Sequence, residues 1–188
     1  MARRLLLITG PPGGGKTTLI QRIYDHYTHL GVGVAGILTR EYLAERERVG
    51  FKLLDLSTRE EGWLARKEGG SGPRIGRYNV ESGDLERVCV TALLNAARRS
   101  ARLVLVDEIG PMEMTSETFR AALSKLFASG KPVVATLRYG SHYPEVEEAR
   151  RIVDTRTIQV TPANRDSISR EIIAEVDAML GLTGDAQL

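Results

Sequence analysis

Cysteine is almost missing from this 188-residue chain: Cys89 stands alone. One thiol cannot close an internal disulfide, so a reducing compartment is expected. A surplus of either charge is missing too. Lys and Arg number 26 against 24 Asp and Glu, a formal net charge of +2. Bulk electrostatics therefore give no reason to expect binding to nucleic acid or to a membrane surface. The sequence pI of 8.8 reflects that small surplus and not a basic patch. Long hydrophobic runs are also lacking. No stretch approaches the ~18 apolar residues of a membrane span. The apolar run Leu5–Ile8, behind Arg3 and Arg4, is too short for a signal h-region. A cytoplasmic protein is expected, and a monomer is favoured. There are no repeats and no low-complexity tract; the one loose segment is Lys67-Glu68-Gly69-Gly70-Ser71-Gly72-Pro73. What remains, at 42% hydrophobic and 27% charged residues, is one globular domain over 1–188, able to bury roughly 70% of its unfolded surface.

Apolar runs flanked by turn residues alternate with longer amphipathic stretches, the pattern of an α/β domain with a largely parallel sheet and flanking helices. Leu5–Thr9, Leu103–Asp107 and Val133–Leu137 are continuously apolar, as strands buried on both faces are. Helices are expected at about Lys16–Leu30, Asp84–Ser100, Thr115–Ser129 and Pro162–Leu180. Gly130 stops the third, and Thr161-Pro162 reads as an N-cap with proline at the first helical position. Strand-like segments at Val34–Thr39, Val49–Leu56, Gly62–Arg66 and Ile75–Val80 suggest an antiparallel insertion, about 34–80, on one sheet edge. Its Ala44–Arg48 tip is a solvated turn or, alternatively, a docking point for a partner.

Gly10-Pro11-Pro12-Gly13-Gly14-Gly15-Lys16-Thr17, followed by Thr18, fits the Walker A pattern G-x-x-x-x-G-K-[ST]. Glycines let consecutive backbone N–H groups curl round a phosphate, and the helix that follows adds its positive end. Lys16 is placed to reach the β- and γ-phosphates and Thr17 to bind Mg²⁺. Leu103-Val104-Leu105-Val106-Asp107-Glu108 completes the site as a Walker B strand, expected beside the P-loop strand. Asp107 would hold Mg²⁺ and Glu108 would orient or deprotonate the attacking water. Thr136, near the end of the next strand, either senses the γ-phosphate or water, or bonds its own backbone. Arg138, Arg40 and Arg165 compete to supply positive charge to the transition state, against the alternative that each is a surface residue. Glu113, just before the third predicted helix, is assigned to the helix dipole.

Over nearly the whole chain these motifs resemble the small nucleoside-triphosphatase family that includes the cancer-related nucleoside-triphosphatase. The segments that carry the likeness are Gly10–Leu19, Gly36-Ile37-Leu38-Thr39-Arg40-Glu41, Arg48-Val49-Gly50-Phe51, Ile75–Val80, Thr161 with Asn164-Arg165 and, most specifically, Asp107-Glu108-Ile109-Gly110-Pro111-Met112-Glu113-Met114. The resemblance implies a RecA-like P-loop domain. It further implies hydrolysis of nucleoside 5′-triphosphates to diphosphates with Mg²⁺ and little base selectivity. The family's nucleotide-binding segments fall on Gly10–Thr17 and Leu103–Gly110, and the resemblance leaves open a supporting role for Glu113 behind the site. Leu43 stands where the family is expected to carry arginine, and Arg138 where histidine is frequent. No Asn-Lys-x-Asp guanine-reading motif is present. Two other functions share the same phosphate site: a nucleotide or small-molecule kinase, for which no arginine-rich lid is evident, and a nucleotide-dependent switch or remodelling module acting on an RNA or protein partner.

Overall fold

A strand with no polar face has to be covered on both sides, and the three continuously apolar runs lie at the centre of one sheet. The computed structural model describes residues 4–98 and 100–182. In chain order the elements are β1 (Leu5–Gly10), α1 (Lys16–His29), β2 (Val34–Ala44), β3 (Glu47–Asp55), β4 (Glu61–Arg66), β5 (Arg74–Ile75) and β6 (Tyr78–Val80). Then come α2 (Ser82–Asp84), a π-helical segment (Leu85–Val90), α3 (Thr91–Arg98), β7 (Leu103–Ile109), a 3₁₀ turn (Glu113–Thr115) and α4 (Glu117–Ala128). The chain ends with β8 (Val133–Arg138), α5 (Pro144–Ile152), β9 (Thr155–Gln159) and α6 (Arg165–Leu180).

Among the described residues the strands form one sheet in the order β5-β6-β4-β3-β2-β7-β8-β1-β9. The five from β2 to β9 in that order are parallel, and the other four extend the β2 edge antiparallel. Successive side chains of β1 divide between two cores, as the pleat requires. Leu5 and Leu7 pack in a cluster with Leu93 of α3 and Phe119 and Leu123 of α4. Leu6 and Ile8 share the other cluster with Leu19, Ile20 and Ile23 of α1 and Ile172 and Val176 of α6. This is the expected α/β architecture, with a parallel centre, flanking helices and an antiparallel extension. Among the described residues no helix is long and apolar enough to cross a membrane.

Several expectations need correction. The Walker B strand β7 does not lie beside the P-loop strand β1; β8 stands between, with Ala135 opposite both Leu7 and Val106. Apolar runs buried on both faces look alike in sequence, so their order across the sheet is decided only by packing. The antiparallel part begins later than residue 34, because Val34–Leu38 pairs parallel with Leu103–Asp107, and beyond Leu38 the strand pairs with β3 alone. Residues 75–80 take part in a small hairpin instead of a single strand. The last helix opens at Arg165, not at Pro162. Asn164 Oδ1 accepts from the Thr161 amide at 2.8 Å while the Asn164 amide donates to the Thr161 carbonyl at 3.2 Å, so Pro162 sits in a closed turn.

Two elements had no clear sequence signal. Along α5 only Val146 and Ala149 are buried, and the edge strand β9 buries Ile158 alone. The third expected helix begins at Glu117, capped by Ser116 Oγ, which accepts from the Phe119 amide at 3.0 Å. Gly130 follows its end with φ +71°, as a helix stop requires. At the hairpin tip Glu45 and Arg46 form an exposed two-residue turn with φ of 49° and 68°.

Candidate active site

The P-loop joins the end of β1 to the start of α1. Gly13 and Gly15 have φ of +72° and +96°, the left-handed region that a Cβ disfavours. The turn is closed by the Gly14 amide, which donates to the Pro11 carbonyl at 3.0 Å. No side chain caps α1 at Gly15, so the first helical amides point into the loop, the arrangement that suits an anion. Lys16 is buried, and its ammonium donates to the carbonyls of Gly10 at 3.0 Å and Pro11 at 3.3 Å. Thr17, Thr18, Pro12 and Gly13 are exposed at the mouth of the loop.

Across the sheet, β7 delivers the acidic pair. Val106 is opposite Ala135 and Ile109 is opposite Leu137, so Asp107 and Glu108 together face the single residue Thr136. A two-against-one step of this kind breaks the strict alternation of side chains. Both carboxylates consequently reach the Lys16 end of the loop. Glu108 Oε2 lies 3.8 Å from Lys16 Nζ. Asp107 is almost fully buried, accepts from Thr136 Oγ1 at 2.6 Å through Oδ1, and leaves Oδ2 with no hydrogen-bond partner. Burial raises its pKa to about 6. The hydroxyls of Thr136 and Thr17 and the charge of Lys16 oppose that rise, and Glu108 adds to it.

Other predicted residues fall into distinct places. Leu103, Val104, Leu105, Val106 and Ile109 are entirely buried in the two cores, so their side chains support the site and do not line it. Thr136 is also inaccessible, and its hydroxyl is committed to Asp107 instead of its own backbone. Arg138 is exposed at the end of β8, opposite Gly10. Arg40 reaches back to α1, where its guanidinium donates to Gln21 Oε1 at 2.8 Å. With Thr17, Thr18, Gln21, Arg22 and Asp25 it borders an open cavity of about 440 Å³. The side chain of Arg165 lies outside the described residues.

Glu113 lies just before α4, as expected, in the 3₁₀ turn; its burial is the surprise, for it is only 2% exposed and so is no solvated charge at a helix end. Burial foremost, with Glu108 and Asp107 adding to it, pushes its pKa up to about 8, although amide hydrogen bonds from Glu113 itself and Gly110 pull the other way. Tyr143, at the start of α5, also belongs to this neighbourhood: burial raises its pKa, with contributions from Glu113 and Glu108. Nothing in the sequence marks Tyr143, because only the fold brings it near Glu108 and Glu113.

The geometry agrees with comparisons to known proteins. Residues 5–173 match the family described as NTPase. The chain is 39% identical over 185 residues to a nucleoside-triphosphatase THEP1 of Thermofilum pendens, covering 96% of this chain and 99% of that one. It is 38% identical to its counterpart from Pyrococcus abyssi, covering 95% and 96%. The crystal structure of THEP1 from Aquifex aeolicus superposes with a TM-score of 0.77 at 31% identity, over 90% of this chain and 97% of that one. The solution structure of a human cancer-related nucleoside triphosphatase gives 0.79 at 33% identity, over 93% and 98%. This chain, with its P-loop facing a paired Asp-Glu strand end, belongs to the NTPase family.

Proposed function

We propose that this protein, acting as a single cytoplasmic domain, hydrolyses nucleoside 5′-triphosphates to diphosphate and phosphate with Mg²⁺ and little selectivity for the base. The observation that carries the reading is the meeting of Lys16 and Glu108, 3.8 Å apart, beside the unpartnered and buried Oδ2 of Asp107. Gly10–Thr18 would cradle the phosphates with backbone amides, and Lys16 would exchange its carbonyl partners for phosphate oxygens. Glu108, partly open to solvent, is the group that orients and deprotonates the attacking water.

Thr17 and Asp107 fit a small hard cation, since both offer oxygen and one buried oxygen lacks a partner. Among the described residues no three His, Cys, Asp or Glu gather into a cage. This suits Mg²⁺, which relies on one or two protein oxygens plus phosphate and water. When bound, the ion would neutralise charge on the transferring phosphoryl group. Weak base selectivity is supported by the residues brought together, which all address phosphate or metal.

The cavity beside Arg40 and Thr17 favours a second reading, transfer to an acceptor instead of water. One assay separates them. Purified protein is given ATP, GTP, CTP or UTP with Mg²⁺ or with a chelator, and phosphate release is measured with and without candidate acceptors. Hydrolysis predicts metal-dependent release from all four without any acceptor. Release that appears as labelled acceptor instead of free phosphate identifies a kinase, and no turnover at all refutes both.

A further inference from the structure

A buried carboxyl without a cation is costly, because the charged form loses its hydration and nothing replaces it. Glu113 is such a group. None of the described cations pairs with it; the groups acting on it are the amides of Gly110 and Glu113 and the carboxylates of Glu108 and Asp107. Cys89 of the π-helical segment and Tyr143 before α5 lie close enough for its charge to act on them. The turn that presents it is fixed, with the Met114 amide donating to the Gly110 carbonyl at 3.0 Å.

The relation to Glu108 runs across Gly110. A Cβ placed on Gly110 would lie 2.9 Å from Glu113 Oε2 and 3.0 Å from Glu108 Oε1. The two carboxyls therefore border the same space, one that Gly110 leaves open by having no side chain. Glu108 thus has Oε2 beside Lys16 and Oε1 beside the same space at Gly110 that Glu113 Oε2 borders.

We propose that Glu113 is a positioning residue whose carboxyl group holds Glu108 in place across Gly110, so that the side chain assigned to water activation stays directed at the Lys16 end of the P-loop. The inference rests on the hydrolase reading above. Its chemistry is that of a neutral carboxylic acid, a hydrogen-bond donor, beside a carboxylate acceptor. A pKa raised to about 8 leaves Glu113 largely protonated at neutral pH, which supplies that donor. A structural role alone, closing the turn through its amides, would affect folding but not the chemical step.

The test uses the full chain and compares Glu113→Ala, Glu113→Gln, Gly110→Ala and Glu108→Gln by steady-state phosphate release, binding of a fluorescent nucleotide and thermal melting. Misplacing a catalytic group by about an ångström costs ~10²-fold in rate. Glu113→Ala should lower kcat by roughly that factor, with nucleotide affinity close to the parent's. Glu113→Gln, whose amide keeps a donor, should recover most of the loss. Gly110→Ala, which pushes on both carboxyls, should resemble Glu113→Ala. If Glu113→Ala fails to fold, Glu113→Gln and Gly110→Ala decide the matter: a fast Gln variant with a slow Gly110→Ala supports the inference, and parent-like turnover in Gly110→Ala overturns it. Parent-like kcat in a folded Glu113→Ala, or a Gln variant as slow as the Ala one, also overturns it. Parent-like turnover in Glu108→Gln is a different failure, since it removes the water-activation reading itself.

Discussion

The Thr136 hydroxyl donates to Asp107 Oδ1 at 2.6 Å, joining β8 to β7 inside the sheet. The bond explains why a threonine occupies the central strand between the P-loop and the acidic pair. A buried carboxylate needs a donor, and one supplied from the neighbouring strand also fixes its rotamer. The other oxygen, Oδ2, stays buried without a partner, while Thr17 and Lys16 act on the same carboxyl group.

Replacing Thr136 with valine keeps the shape and removes the donor. The variant should lose about 1–3 kcal/mol of stability, which in a chain of this size is a drop of a few degrees in Tm. It should also need more Mg²⁺ for half-maximal activity, because Asp107 is no longer held. Calorimetry and a metal titration check the two effects; an unchanged Tm and an unchanged titration would remove the proposed function of the bond.

Lys16→Ala removes the cation that β1 and the loop carbonyls hold in place. Nucleotide affinity or turnover should fall by roughly 10²-fold or more, while folding is retained. Thr17→Ala should act on the metal instead, raising the Mg²⁺ requirement at little cost in nucleotide affinity at saturating metal. Calorimetric binding and phosphate release separate the two. Parent-like behaviour in both variants would mean that the phosphates bind elsewhere.

Arg138 projects from the end of β8, opposite Gly10, so it is the exposed arginine that the register brings level with the phosphate loop. Arg138→Ala should slow turnover with little change in nucleotide affinity, and specific activity should not depend on protein concentration. An arginine acting in this way is commonly worth ~10³-fold or more. Activity that rises with protein concentration would point to a cation delivered from a second molecule instead.

Acid stability offers a test away from the site. Burial raises the Asp84 carboxyl, but the Trp63 amide at 2.7 Å and the Arg87 guanidinium at 2.8 Å outweigh it and hold its pKa below the usual carboxylate range. A pKa lowered in the folded state means stability that is full above the unfolded value and lost as the pH falls through the folded one. Asp84→Asn should therefore cost about 1–3 kcal/mol at neutral pH. The gap between parent and variant should close below about pH 4. A gap that stays constant with pH would show that charge is not the cause.

The phosphate loop, the acidic pair and the buried strands were legible in the residues because each depends on local chemistry. Glycine spacing sets where a backbone can curl round an anion, and an unbroken apolar run such as Leu103–Val106 has to be covered on both faces. The π-helical start of the second helix, α5 and β9 were not legible, since few apolar residues mark them and long-range packing holds them. Strand order escaped for a related reason: Val133–Leu137 and Leu103–Asp107 are both doubly buried, and nothing local says which of them adjoins Leu5–Thr9. Only the assembled sheet put Thr136 on the strand between the P-loop strand and Asp107. Only the step in the β7 register brought Asp107 and Glu108 to the same end of the P-loop. Glu113 is the sharpest case. In the sequence it is a carboxylate near a helix start, but the turn after Gly110 buries it within reach of the charge of Glu108, because desolvation and neighbouring charge are properties of what surrounds a residue and not of the residue itself.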